Sequence, residues 1–316
     1  MSNTIKFTFA FWLSVYLQPI YAQGQDEPLV TEQALSEVKS ELVPTYIFHG
    51  AGMSEGRLPY EKALLLLLME TSQERFGLAI LEFENTPMTD TRSLREIGKG
   101  EVLQVQSAAI KDREADEQYA IILPVPILKN MLGYRQIIIR RDRLEEFRSI
   151  NSWQQLSGFV VGQGTQWPDT KIIRSNGITV TGADSYKSLF PMLAHNRFDY
   201  LSLGAGEIIG AVSAQKKHEN ELTVVDNIVL YYPFPIYYFV SKTHPELAER
   251  LEYAFDLIIY NGEFDKLFNK HFSDTISRLN TSDTKVFVLN NPDYPTGHPS
   301  SDPLLLDKAT IITRDL

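Results

Sequence analysis

Apolar and polar positions along this chain come in blocks whose period switches between two and about 3.6, so strands and helices take turns. A β-like run over Thr45–His49 ends at Gly50, and a loop containing Gly52, Gly56 and Pro59 follows. Residues 60–72 are almost continuously apolar, which predicts a helix buried on most sides. Strands over 78–83 and 102–105 then flank a helix over 89–97. From 134 a second series begins, with strands over 134–139, 159–161, 178–181, 200–203 and 222–225. Its helices fall at 169–175 and 185–194, the latter interrupted by Pro191, and residues 162–165 form a turn. A long aromatic β run at 231–240 resembles the one at 134–139. The pattern then turns helical: Pro245 suits the first helical position, and Leu247, Leu251, Ala254 and Ile258 share one face. Beyond Gly262, Phe264, Leu267, Phe268 and Phe272 make a second apolar stripe. Pro292, Pro295, Pro299 and Pro303 predict an extended surface tail. Two strand–helix series predict an α/β protein of two units, each a mostly parallel sheet flanked by helices.

Composition narrows the class. The 316 residues suffice for two domains of ordinary size, and 43% hydrophobic with 22% charged residues describes a soluble globular protein. Lys6, the apolar run over 7–17 and the small residue Ala22 predict a cleavable signal peptide over 1–22. That run is well short of the roughly 20 residues that span a bilayer. The chain has no cysteine, which excludes disulfides, thiolate nucleophiles, cysteine metal sites and lipoprotein attachment. A freely soluble exported product points to the periplasm. The net charge of -10 disfavours nucleic acid and anionic lipid as partners. Six scattered histidines show no metal-ligand spacing, so neither metal nor cofactor is expected.

In parallel α/β sheets a ligand binds beyond the carboxyl ends of the strands. That rule selects the loops after His49, around 86–92 and over 108–113 in the first unit, and 162–169 with 182–186 in the second. Arg113, beside Ala108, offers a planar fork for a carboxylate or else a surface partner for Asp112 or Glu114. Gly164 and Thr165 either present backbone N–H groups to an anion at a helix start or make a tight turn. Trp167 and Tyr60 either cover an apolar part of a ligand or pack. Arg92 is a second anion contact or a helix-start residue.

Four segments together resemble the family 3 extracellular solute-binding proteins, which include polar amino-acid receptors of ABC importers. They are Gly98-Lys99-Gly100-Glu101, residues 109–114 with Arg113, residues 150–158 leading into Val160-Val161-Gly162-Gln163-Gly164-Thr165, and Asn196-Arg197-Phe198-Asp199-Tyr200. The resemblance implies the two-lobed periplasmic binding protein-like II fold, with hinge strands near 134–139 and 231–240. Lobe 1 would hold residues 23–135 and 237–290, lobe 2 residues 136–236, and a tail residues 291–316. It implies a monomer that takes a small polar ligand, with an ABC permease or a membrane sensor as partner, and makes Arg113 the ligand's carboxylate contact. Amino-acid receptors place an aspartate about five positions after the residue matching Asp199. Here that position is Gly204, with Glu207 as a substitute. Two other functions stay open. An exported dehydratase or lyase would need an acid–base pair from Glu55, Asp169, Glu207 and His49, and an interaction module would need no solute.

Overall fold

The computed structural model describes residues 43–50, 57–110, 112–218, 220–294 and 305–314. The expected signal peptide, the linker after it and Glu55 lie outside the described residues.

The first lobe begins with β1 (Thr45–His49), α1 (Leu58–Thr71), α2 (Gln73–Phe76), β2 (Ile80–Glu84), α3 (Asp90–Lys99), β3 (Val105–Ala108), α4 (Arg113–Asp116) and β4 (Ala120–Ile122). Helix α1 starts with Pro59 in its first turn, where the missing N–H costs nothing, and buries Tyr60, Leu64, Leu65, Leu68 and Met69. Helix α3 stops at Gly100, which takes the left-handed conformation at φ 68°. A side chain there would strike the Thr243 hydroxyl at 2.0 Å, which accounts for the helix–glycine–strand step.

The second lobe follows as β5 (Tyr134–Arg140), α5 (Leu144–Arg148), α6 (Trp153–Ser157), β6 (Val161–Gly164), α7 (Pro168–Ser175), β7 (Val180–Ala183), α8 (Tyr186–Ala194), β8 (Tyr200–Gly204), α9 (Ile208–Ser213) and β9 (Leu222–Tyr231). The chain returns to lobe 1 through β10 (Tyr237–Ser241), α10 (Pro245–Tyr260) and α11 (Glu263–Leu279). It ends on lobe 2 with β11 (Lys285–Val288) and β12 (Thr310–Thr313). The lobe 1 sheet has the order β2-β1-β3-β10-β4, and the lobe 2 sheet β12-β11-β9-β5-β8-β6-β7. In each sheet one strand runs against its neighbours, β10 in the first and β5 in the second. Each is the strand through which the chain arrives from the other lobe. An apolar cluster runs through both lobes, joining Phe48 and Leu64 to Ile137 and Val161.

Three expectations need correction. Residues 134–139 and half of 231–240 are ladder strands inside the sheets, and the crossings are the proline-bearing segments beside them, 123–133 and 232–236. Pro233 and Pro235 have no N–H to give a ladder, so the aromatic run breaks in two. The crossings instead bond to each other: Ile127 N–H to Ile236 O at 2.9 Å, and Phe234 N–H to Asn130 Oδ1 at 2.9 Å. The lobe boundaries shift accordingly. Tyr134 and Arg135 already belong to lobe 2, and β11, expected in lobe 1, pairs in parallel with β9. The tail is more than a surface coil, because β12 extends the lobe 2 sheet. Among the described residues no helix is long and apolar enough to cross a membrane.

Candidate functional site

The Arg57 end of α1 in lobe 1 approaches the carboxyl end of β8 in lobe 2, and the carboxyl end of β3 approaches the start of α7, leaving two crevices. The first is a shallow cleft open to solvent between Arg57 of lobe 1 and Gly204, Gly206 and Glu207 of lobe 2, floored by Leu128, Met131 and Phe272. The second lies between Ala109 and Ile110 of lobe 1, Pro168 and Ile172 of α7, and Asn291, Asp293 and Tyr294 of the C-terminal segment.

Arg57 is held by two neighbours: its guanidinium pairs with Glu61, which is fully buried, and donates to Ser107 Oγ at 3.0 Å. Ser107 in turn donates to the other oxygen of Glu61. A buried carboxylate needs such partners, and this triangle fixes the arginine at the crevice. Opposite, the Glu207 carboxylate accepts from Gly204 N–H at 3.3 Å. A Cβ at position 204 would stand 2.8 Å from Glu207 Oε1. The glutamate therefore folds back over the space that a side chain at 204 would use.

Beneath this rim lies a buried polar cluster. Arg135, at the start of β5, pairs with Asp169 of α7 at 2.7 Å, and both side chains are almost fully buried. Tyr232 donates its hydroxyl to the same carboxylate, and the guanidinium sits 5.6 Å from the ring centroids of Tyr232 and Phe234. Burial alone would lower the pKa of Arg135, but the charge of Asp169, then Tyr232 and Glu207, outweighs it and raises the net value. Burial lifts the Tyr232 hydroxyl well above its ordinary range. Tyr186 is pushed up to about 12, by burial first and then by the Glu207 charge.

The sequence-derived candidates divide. Glu207 lines the first crevice. Gly164 ends β6 with the Trp167 indole laid over it, where a Cβ would meet the ring at 2.5 Å. Trp167 is half-buried, 6.2 Å from Tyr186, and exposed Thr165 donates to Asp184 at 3.3 Å. Residues 162–164, expected as a turn, are buried strand, because the Phe198 ring fills the space beside Gly162. The Thr165 N–H, expected to be free for an anion, donates to Ala183 O at 2.9 Å. Ala108 ends β3 opposite Tyr237, next to the second crevice.

Three candidates lie elsewhere. Asp112 caps α4 through Ala115 N–H, so Arg113 starts that helix and pairs with Glu117 one turn on at 2.9 Å, half-exposed to solvent. It lines neither crevice. Arg92 is an exposed first-turn residue whose N–H is capped by Thr89. Tyr60 is wholly buried among Phe268, His271 and Phe272, with its hydroxyl donating to Ile127 O at 2.6 Å. Tyr60→Phe is expected to cost about 1–3 kcal/mol by orphaning that carbonyl, measured by urea unfolding. A cost near zero would mean the carbonyl finds another partner. His49 is buried against Thr86 O at 3.2 Å. Asp199 of the resemblance motif is structural: it accepts from Val160 N–H at 2.7 Å and pairs with Arg143.

Sequence reasoning missed Arg57, Arg135 and Tyr232. Arg135 stands in a β run bounded by Tyr134 and Ile137-Ile138-Ile139, and a charge in such a buried place asks for a partner; that was the available signal.

No protein-family model matches this chain, and no curated protein matches it by sequence. Solved structures do. An arginine-specific periplasmic binding protein of Salmonella typhimurium aligns at 13% identity and a TM-score of 0.50, over 72% of this chain and 99% of that one. An arginine third transport system periplasmic binding protein of Legionella pneumophila aligns at 12% and 0.49, over 72% and 100%. An ancestral arginine-binding protein bound to arginine aligns at 18% and 0.47, over 72% and 98%. At such identities the likeness to the Salmonella protein speaks to architecture. This chain has the two-lobed α/β fold of a periplasmic binding protein.

Proposed function

We propose that this chain is a periplasmic solute-binding protein that captures a small polar ligand between its lobes, an amino acid or a related carboxylate-bearing compound, for ABC-type import or sensing. One observation carries the reading. Glu207 Oε1 sits 2.8 Å from where a side chain at position 204 would begin, so a carboxylate stands where the family's ammonium-binding aspartate is expected. Arg57 faces it from the other lobe across the first crevice. Because Glu61 already balances Arg57, the Glu207 carboxylate is left to pair with an ammonium group. In this reading Trp167, Thr165, Gly164 and Ala108 serve at the cleft rim, while Arg113, Arg92 and Tyr60 take no part. A protein of the same fold is specific for arginine in the periplasm, which supports a nitrogenous ligand. We propose a monomer that acts with a membrane permease or sensor, without chemistry on the solute.

Calorimetric titration with amino acids and small carboxylates tests this. Glu207→Gln is expected to weaken binding of the tightest compound by about 2–5 kcal/mol, as for one side of a desolvated charge pair. Arg113→Ala is expected to leave affinity unchanged. Equal affinity in Glu207→Gln, or turnover of the compound into a product, would sink the reading.

A further inference from the structure

Among the described residues three stretches of chain join the lobes. The first two are the crossings that bond to each other. The third is stiff. Helix α11 packs on lobe 1 through Phe264, Phe268 and Phe272, and its last turn sits on lobe 2, where Arg278 donates to Gln136 Oε1 at 2.7 Å and to Ala205 O at 3.4 Å. After β11 the chain doubles back toward lobe 1. Leu289 N–H donates to Tyr231 O at 2.7 Å. The Asn176 amide, just beyond α7, grips Asn290 at both its N–H (2.9 Å) and its carbonyl (2.7 Å). Asn291 donates its side-chain amide to Pro233 O in the second crossing at 2.8 Å. Asp293 pairs with Lys171 of α7, and the Tyr294 hydroxyl meets that of Tyr237 on β10 at 2.9 Å. Asn291 and Tyr294 are buried by these contacts. Residues 290–294 thus touch lobe 2, the crossing and lobe 1 in turn, and wall the second crevice between Ala109 and Pro168.

Two lobes rotate about a few crossing residues only when nothing else bridges them. We propose that residues 290–294 are a strap that holds the lobes in this arrangement, and that ligand exchange through the second crevice requires the strap to lift. The exchange clause rests on the solute-binding reading; the strap does not. Each bridging hydrogen bond removed shifts the open fraction by roughly 2- to 12-fold.

The absence of cysteine lets two introduced thiols report the interlobe distance cleanly. Spin labels at Glu70→Cys on α1 and Lys187→Cys on α8, both exposed, span the lobes. Electron-electron distance measurements would compare the parent with Asn291→Ala/Tyr294→Ala and, separately, with Tyr237→Phe, which removes the same hydroxyl contact from the lobe 1 side without truncating the strap. A narrow parent distribution that broadens or gains a longer component in both variants is the expected result. Unchanged distributions in both, with circular dichroism unaltered, overturn the strap. Stopped-flow Trp fluorescence with L-arginine tests the second clause. A several-fold faster association in the variants supports it, and an unchanged rate despite broadened distances overturns it. Broadened distances with arginine binding to none of the proteins leave the strap standing and count against the solute-binding reading for this ligand.

Discussion

Asp169→Ala will destabilise the protein by about 3–5 kcal/mol, because it removes one side of a buried ion pair and leaves the other charge in place. Arg135 stays protonated at any working pH: its folded pKa is raised, so its charged form is favoured below its ordinary value and beyond. Without Asp169 the guanidinium faces Tyr232 and Phe234 with no carboxylate, and its Nε already lacks a partner. The Tyr232 hydroxyl loses its acceptor in the same step. Urea unfolding at neutral pH measures the cost. Asp169→Asn, which keeps an acceptor for Tyr232, should cost less than the alanine, and Arg135→Met combined with Asp169→Leu should recover much of the loss, as apolar replacements of whole buried pairs do. A loss below about 1 kcal/mol for the alanine would show that water reaches the cluster and screens it.

The second large effect is expected at the place where the two crossings meet. In Gly133→Ala the new methyl would stand 2.2 Å from the carbonyl oxygen of Tyr232, and only 3.5 Å from Phe234 N. Both are backbone atoms, so no side chain can turn aside to make room. The strands must part, stretching the Tyr232 N–H to Gly133 O bond, now 3.3 Å. A cost of about 1–3 kcal/mol is expected from such overpacking, with more if the crossings separate. Gly210→Ala in α9 is the control, since a methyl there meets nothing within 4 Å. It should be neutral or more stable by up to about 1 kcal/mol, because alanine favours the helix. If both variants matched the parent, the crossings would be looser than their hydrogen bonds imply.

Much of the architecture was legible because periodic burial is a local property. The apolar run of α1, the stripes of α10 and α11 and the alternation of strand and helix follow from which residues need to leave water. Boundaries were less legible. Strand β3 was expected at 102–105 and lies at Val105–Ala108, because Val102 is exposed while Gln104 and Gln106 are buried. Gln104 tolerates burial by accepting from Ile47 N–H at 2.7 Å and donating to Gly100 O at 2.6 Å, partners that no hydropathy pattern reveals. Arg113 shows the opposite case: its neighbours match a motif, and only the structure shows the Asp112 cap turning it toward Glu117 and water.

By itself, then, the order of apolar and polar residues determined two α/β lobes and the elements that build them, because hydrophobic burial acts on faces a few residues long. Glu207 came forward through the family resemblance, which sets the ammonium-binding position at Gly204 three residues earlier. Only the tertiary structure decided that Arg135 meets Asp169 inside lobe 2, that Ser107 joins Arg57 and Glu61, and that the C-terminal segment returns to bind both lobes. Those contacts depend on polar groups far apart in the chain finding each other where water is excluded, and no local pattern encodes that distance.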